Sequence, residues 1–167
     1  NGYFKLGVGN QTAVFDMFFR KIPDQAGFAI CAGLEQLIDY FENLHFTKED
    51  IEYFGKVSTD TNPMHFDEDY AATTQFGKCI AHGVISLSLC GAVLGMQLPG
   101  LGTIHMGQEV TFMKPVYPGD VITAHCEVVD IQYKEKKDFY IVKVKQEVTN
   151  QKGEVVTAGV ATCMPPK

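Results

Sequence analysis

The chain has 167 residues, long enough for one hydrophobic core and too short for two ordinary enzyme domains. A formal net charge of -6 with a single arginine, Arg20, leaves no basic stripe for a run of phosphates and argues against a nucleic-acid partner. The five cysteines, Cys31, Cys79, Cys90, Cys126 and Cys163, never form a Cys-x-x-Cys pair, so they suggest neither a disulfide framework nor a zinc site, and they read as reduced thiols of a cytoplasmic protein.

In chain order, residues 12–20 alternate polar and apolar, residues 22–27 break the pattern, and residues 28–32 form an apolar run, which predicts two strands. Leu34, Leu37, Ile38, Tyr40, Phe41 and Leu44 share one helical face, so a helix is predicted over residues 34–44. Thr47 followed by Asp50 is a capping pair and starts a second helix through Ile51 and Phe54. Pro63 ends it and pushes Asn62 out of the α region, which predicts an irregular or extended segment over residues 58–66. Asp67 is placed as the N-cap of a short helix through Tyr70 to Thr73.

The run from His82 to Leu98 is apolar nearly all round, as expected of a helix wrapped by other structure on most of its circumference. Ser86, Ser88 and Gln97 interrupt it, and it falls short of the roughly 20 apolar residues a bilayer needs, so no membrane association is expected. No basic segment followed by an apolar stretch opens the chain, which argues against a signal peptide, and a start at Asn1 suggests a trimmed or constructed N-terminus. Strands are predicted over residues 103–113, 121–133, 138–149 and 154–163, joined by turn-rich connections. One buried helix followed by consecutive antiparallel strands implies an α+β fold with a curved sheet wrapped around that helix.

The stretch Asp60-Thr-Asn-Pro-Met-His65, followed by Ala81-His82-Gly83, carries the chemistry. It resembles the MaoC-like (R)-specific enoyl-CoA hydratases, which set an Asp and a His five apart around Asn-Pro and open the central helix with His-Gly. The resemblance continues through residues 98–103, Gln108, residues 112–116 and Gly119-Asp120, and so covers about 46–167. It implies a hot-dog fold and the reversible hydration of a trans-2-enoyl-CoA to a (3R)-3-hydroxyacyl-CoA. In that reading Asp60 and His65 hold and activate the water, and the backbone N–H of Gly83 faces the thioester oxygen. Asn62, Pro63 and His82 shape the substrate pocket. Catalysis then needs no metal or redox cofactor, coenzyme A being part of the substrate, and the acyl-CoA lies at the boundary of a homodimer or larger homo-oligomer.

Taken singly, these residues have plainer readings. Asp60 alone is a turn or capping residue, a lone His65 after Asn-Pro is structural, and His82 divides between a helix cap and a pocket wall. Ser86 and Ser88 read as helix packing. Some members of the resembled family support the catalytic Asp with a serine on this helix, where this chain has Gly91. Gly100-Leu-Gly102 precedes a strand and is no dinucleotide fingerprint, and His45, His105 and His125 lack partners at metal-ligand spacing.

The first part of the chain resembles another family. Residues 1–7, 12–20, 27–30 and 32–44 are similar to the early part of nicotinate phosphoribosyltransferases, the likeness running through about Phe54. The domain boundaries expected are therefore 1–46, a segment supplying strands and a helix, and 47–167, a hot-dog hydratase domain. Such a join implies a chimera whose foreign segment replaces the hydratase's own first strand. Two rivals follow: a catalytically inactive structural chimera, and a hot-dog thioesterase, which would place a carboxylate on or near the central helix.

Overall fold

A computed structural model of the protein describes residues 37–166. The two strands predicted over residues 12–20 and 28–32 lie outside the described residues. The first described element corrects the helix predicted over residues 34–44, because Leu37–His45 is a strand, β1. It pairs antiparallel with β3 (Val121–Lys134), from Leu37 opposite Glu127 to His45 opposite Val121, with a bulge between Tyr40 and Leu44. The apolar spacing fits one helical face, but a helix that short is marginal on its own, and pairing along an open sheet edge satisfies the same backbone groups. Tertiary pairing overrides local periodicity here.

Helix α1 (Lys48–Ser58) starts as predicted. The Thr47 hydroxyl accepts from the Asp50 amide at 3.2 Å while Asp50 accepts from the Thr47 amide at 2.9 Å. The helix ends at Thr59, a β-branched residue held at φ 63°, so the chain reverses immediately before Asp60. Part of the segment predicted as irregular closes into a 3₁₀ turn, Pro63–His65, and Asp67 then caps α2 (Glu68–Ala72) by accepting from the Tyr70 amide.

Helix α3 (Gly83–Met96) leads to β2 (Ile104–Phe112), and the strands β3, β4 (Phe139–Asn150) and β5 (Val155–Met164) follow. The sheet has five strands in the order β1-β3-β4-β5-β2, antiparallel throughout, and α3 touches β2, β3, β4 and β5. The core lies between them. Ile85, Leu89, Cys90, Val93 and Leu94 face Ile122, Ala124 and Cys126 of β3, Val142, Val144 and Val148 of β4, and Ala161 and Cys163 of β5. Each such aliphatic side chain contributes roughly 1.5–3 kcal/mol by leaving water.

The expectation that α3 would be enclosed on most of its circumference needs correction. Val84 is 51% and Met96 65% exposed, so one apolar stripe of the helix faces outward in the single chain. Cys79, Cys90, Cys126 and Cys163 are free and buried, in keeping with the thiol reading. A hydrogen bond with Cys90 together with burial pushes the Cys126 thiol far above its ordinary range, and burial alone raises Cys163 to about 11.

Candidate active site

Asp60, His65 and His82 converge although the chain separates them by up to 22 residues. The reversal at Thr59 presents Asp60, and an Asx turn fixes its carboxylate, with Oδ1 accepting from the Asn62 amide at 3.1 Å. Asn62 in turn accepts from the Met64 amide, and Pro63 opens the 3₁₀ turn that carries His65. The described contacts of Asn62 lie within this loop and set its shape. Oδ2 is the carboxylate oxygen that faces the histidines.

The hydrogen bonds assign the histidine tautomers. His65 Nδ1 lies 2.8 Å from the carbonyl of Ile80, and a carbonyl only accepts, so the neutral ring carries its proton on Nδ1. Its bare Nε2 then stands 3.9 Å from Asp60 Oδ2, with the His65 side chain 8% exposed and that of Asp60 half exposed. His82 Nε2 is 3.2 Å from the main-chain oxygen of Asp60 and therefore donates, which leaves Nδ1 as a buried lone pair with no partner among the described residues. Burial lowers the His82 pKa from its ordinary value, and the Asp60 carbonyl offsets this only in part. The neutral ring stacks on His65 with centroids 3.8 Å apart and planes at 28°, and it touches Phe54 and Phe66 on other sides.

Within the described residues this trio is the one group of His, Cys, Asp and Glu side chains close enough to hold a metal ion. The donor geometry argues against that use. Imidazole lone pairs lie in the ring plane, and two rings stacked nearly face to face direct them side by side rather than toward one ion. The His82 Nε2 proton is also engaged with the Asp60 carbonyl.

His82 is the N-cap of α3, its carbonyl accepting from the Ile85 amide, and the Gly83 amide is one of the unpaired first-turn donors at the positive end of the helix. The Phe112 ring of β2 lies against Gly83, and a Cβ built there would stand 3.0 Å from it. The space beside Gly91 is open, with nothing within 4 Å of an added Cβ. The Asn62 amide, rather than a serine at that position, is the donor to the Asp60 carboxylate. Two relationships escape a reading of the sequence, the His65–His82 stack and a buried contact of Ser86 with Thr157.

A small cavity of about 50 Å³ adjoins His65, lined also by Lys48, Ile51, Phe66, Glu68 and Cys79. A larger concavity of about 430 Å³ lies among Gln108, Glu109, Val129, Lys143, Val160 and Thr162 and contains no member of the trio. The half-exposed Asp60 carboxylate, not a closed tunnel, marks the mouth of the site in the single chain.

The MaoC like domain model matches residues 32–151. The chain belongs to the MaoC-like domain family. An (R)-specific enoyl-CoA hydratase of Rhodospirillum rubrum is 39% identical over 140 residues, spanning 78% of this chain and 94% of that protein. One from Aeromonas caviae is 37% identical over 116 residues, 70% of this chain and 84% of that protein. Among solved structures, an (R)-hydratase from A. caviae superposes with a TM-score of 0.73 at 33% identity, covering 83% of this chain and all of that one. This MaoC-like chain thus has the hot-dog fold of those neighbours. A shorter stretch matches elsewhere: nicotinate phosphoribosyltransferase of Caenorhabditis elegans is 42% identical over 66 residues, and that of Bacillus subtilis 43% over 51. The chain spans 12% and 10% of those two proteins, which supports a chimeric origin. Among the described residues no helix is long and apolar enough to cross a membrane.

Proposed function

We propose that this MaoC-like protein hydrates trans-2-enoyl-CoA reversibly to (3R)-3-hydroxyacyl-CoA. The observation that carries the reading is the bare Nε2 of His65 facing Asp60 Oδ2 across 3.9 Å. Two acceptors at that separation suit a water that donates one hydrogen to each. As the water oxygen attacks the β-carbon, one of the pair takes the proton that the water loses and then hands that same proton to the α-carbon, so the elements of water add across the double bond and the pair ends as it began. The Gly83 amide stabilises the negative charge that gathers on the thioester oxygen. Asn62, Pro63 and His82 form the wall that holds these groups in register. The addition involves no net oxidation or reduction and in this reading uses no metal or redox cofactor, and a reducing cytoplasm suits the buried free thiols.

A homodimer or larger homo-oligomer completes the site. Among the described residues β2 pairs on one side only, with β5, and Ile104, Met106 and Phe112 are about half exposed along it. An open apolar edge of this kind invites a second copy. The thioesterase alternative is disfavoured because α3 carries no Asp or Glu. A chimera of segment 1–46 with a hydratase domain, 47–167, remains compatible with activity, since β1 occupies a sheet edge beside β3 and not a position in the trio. Turnover of crotonyl-CoA to the 3R product tests the function, with Asp60→Asn and His65→Gln as controls; a folded but inert protein would mark an inactive chimera.

A further inference from the structure

The first turn of α3 is gripped by one rung of the sheet. Phe112 of β2 sits opposite Thr157 of β5, and both touch the turn that begins at Gly83. Phe112 closes the Cα side of the glycine. Thr157 works through Ser86: the Ser86 hydroxyl donates to the Gly83 carbonyl at 2.6 Å, and its oxygen lies 2.6 Å from Thr157 Oγ1. A hydroxyl has one proton to give, so the proton between the two side chains belongs to Thr157. The result is a directed chain from Thr157 through Ser86 to Gly83, with both side chains nearly buried, at 3% and 2% exposure.

Packing alone does not account for this chain. Thr157 neighbours Val156 and stands opposite Val148, both fully buried, and a valine would fill the same volume without a hydroxyl to satisfy. Glycine at position 83 admits a close ligand but is the residue least able to hold its own backbone orientation. An amide donor built on it needs restraint from outside.

We infer that the Ser86–Thr157 hydroxyl pair is a positioning device: it holds the Gly83 carbonyl, and by restricting rotation about the glycine it keeps the neighbouring Gly83 N–H aimed at the thioester oxygen. The inference rests on the reading of Gly83 as the oxyanion donor. Removing an oxyanion donor outright costs about 10²–10³ in kcat, so loosening one is expected to cost roughly tenfold. Neither hydroxyl is expected to contribute to ground-state binding.

The test uses the full chain, its Thr157→Val, Ser86→Ala and Thr157→Ser variants, and the double variant Ser86→Ala with Thr157→Val. Crotonyl-CoA hydration gives kcat and KM, and the absorbance of 2,4-hexadienoyl-CoA bound to excess protein reports how strongly the thioester carbonyl is polarised. Thr157→Val and Ser86→Ala are expected to lower kcat about tenfold with KM within about twofold, and to shrink the red shift of the bound chromophore. Thr157→Ser restores both, and the double variant is no worse than either single one because the two hydroxyls act as a unit. A wild-type red shift that all variants keep, with unchanged kcat, overturns the inference alone. Absence of any red shift in the wild type overturns the Gly83 assignment and the inference with it.

Discussion

His82 donates from Nε2 to the main-chain oxygen of Asp60 at 3.2 Å, and its ring face lies on His65 with centroids 3.8 Å apart. One neutral, buried side chain therefore sets the position of both members of the facing pair. Replacing His82 by alanine is expected to destabilise the fold by about 2–4 kcal/mol, through the cavity and the unpaired Asp60 carbonyl. It is also expected to lower kcat roughly 100-fold, the scale of a misplacement near 1 Å. Denaturant melts and initial rates on crotonyl-CoA check the two effects separately.

The lowered pKa of His82 makes stability depend on pH in a defined window. The unfolded ring binds a proton below about pH 6.5, while the folded ring resists it because of burial. The contribution of His82 is therefore fully present above about pH 6.5 and is lost as the pH falls from there toward the lower folded value. Urea midpoints measured down from neutral pH are expected to fall through this window, and His82→Gln to flatten the dependence. The carboxylates Asp50, Glu68 and Glu154, whose hydrogen bonds lower their pKa values, lose their contributions at pH values below the ordinary carboxylate range.

Gly55 of α1 lies behind the Asp60 loop. A Cβ there would stand 2.5 Å from Phe66 Cζ and 3.2 Å from the Asp60 carbonyl oxygen. The exposed Phe66 ring can yield, but the carbonyl cannot move without turning Asp60. Gly55→Ala is expected to cost about 1 kcal/mol net, helix propensity offsetting part of the overpacking. Activity is expected to fall about tenfold, read from kcat against the thermal midpoint of the same variant.

Among the described residues the outer edge of β2 is unpaired, and this edge supplies a prediction about assembly. Met106 is 51% exposed, so Met106→Lys leaves the fold intact while placing a charge on the edge. Sedimentation is expected to show a dimer or larger species for the wild type and a monomer for the variant, with activity falling on dissociation. A monomeric wild type with full activity would contradict the role given to this edge.

The legibility of these features in the sequence followed the range of the interactions. The capping pair at Thr47 and Asp50, the Asp67 cap and the four C-terminal strands are local or strictly periodic, and they appear as predicted. The apolar spacing of residues 37–44 fits a helix, while the partner that makes them a strand, β3, lies far along the chain. The outward stripe of α3 was invisible because a helix apolar all round carries no mark of which side the chain itself covers. Asp60, His65, His82 and Gly83 were found by motif resemblance, whereas the chain from Thr157 to Ser86 joins residues 71 apart and has no motif.

In the proposed reaction Asp60 and His65 together activate water for addition to an enoyl thioester. Its most direct measurement is the loss of crotonyl-CoA enoyl-thioester absorbance with stereochemical identification of the product, for the wild type, Asp60→Asn and His65→Gln. The wild type is expected to yield (3R)-3-hydroxybutyryl-CoA and each variant to lose at least about 10²-fold in kcat, the scale of a general acid–base group. Turnover that survives both substitutions, or a 3S product, would contradict this mechanism.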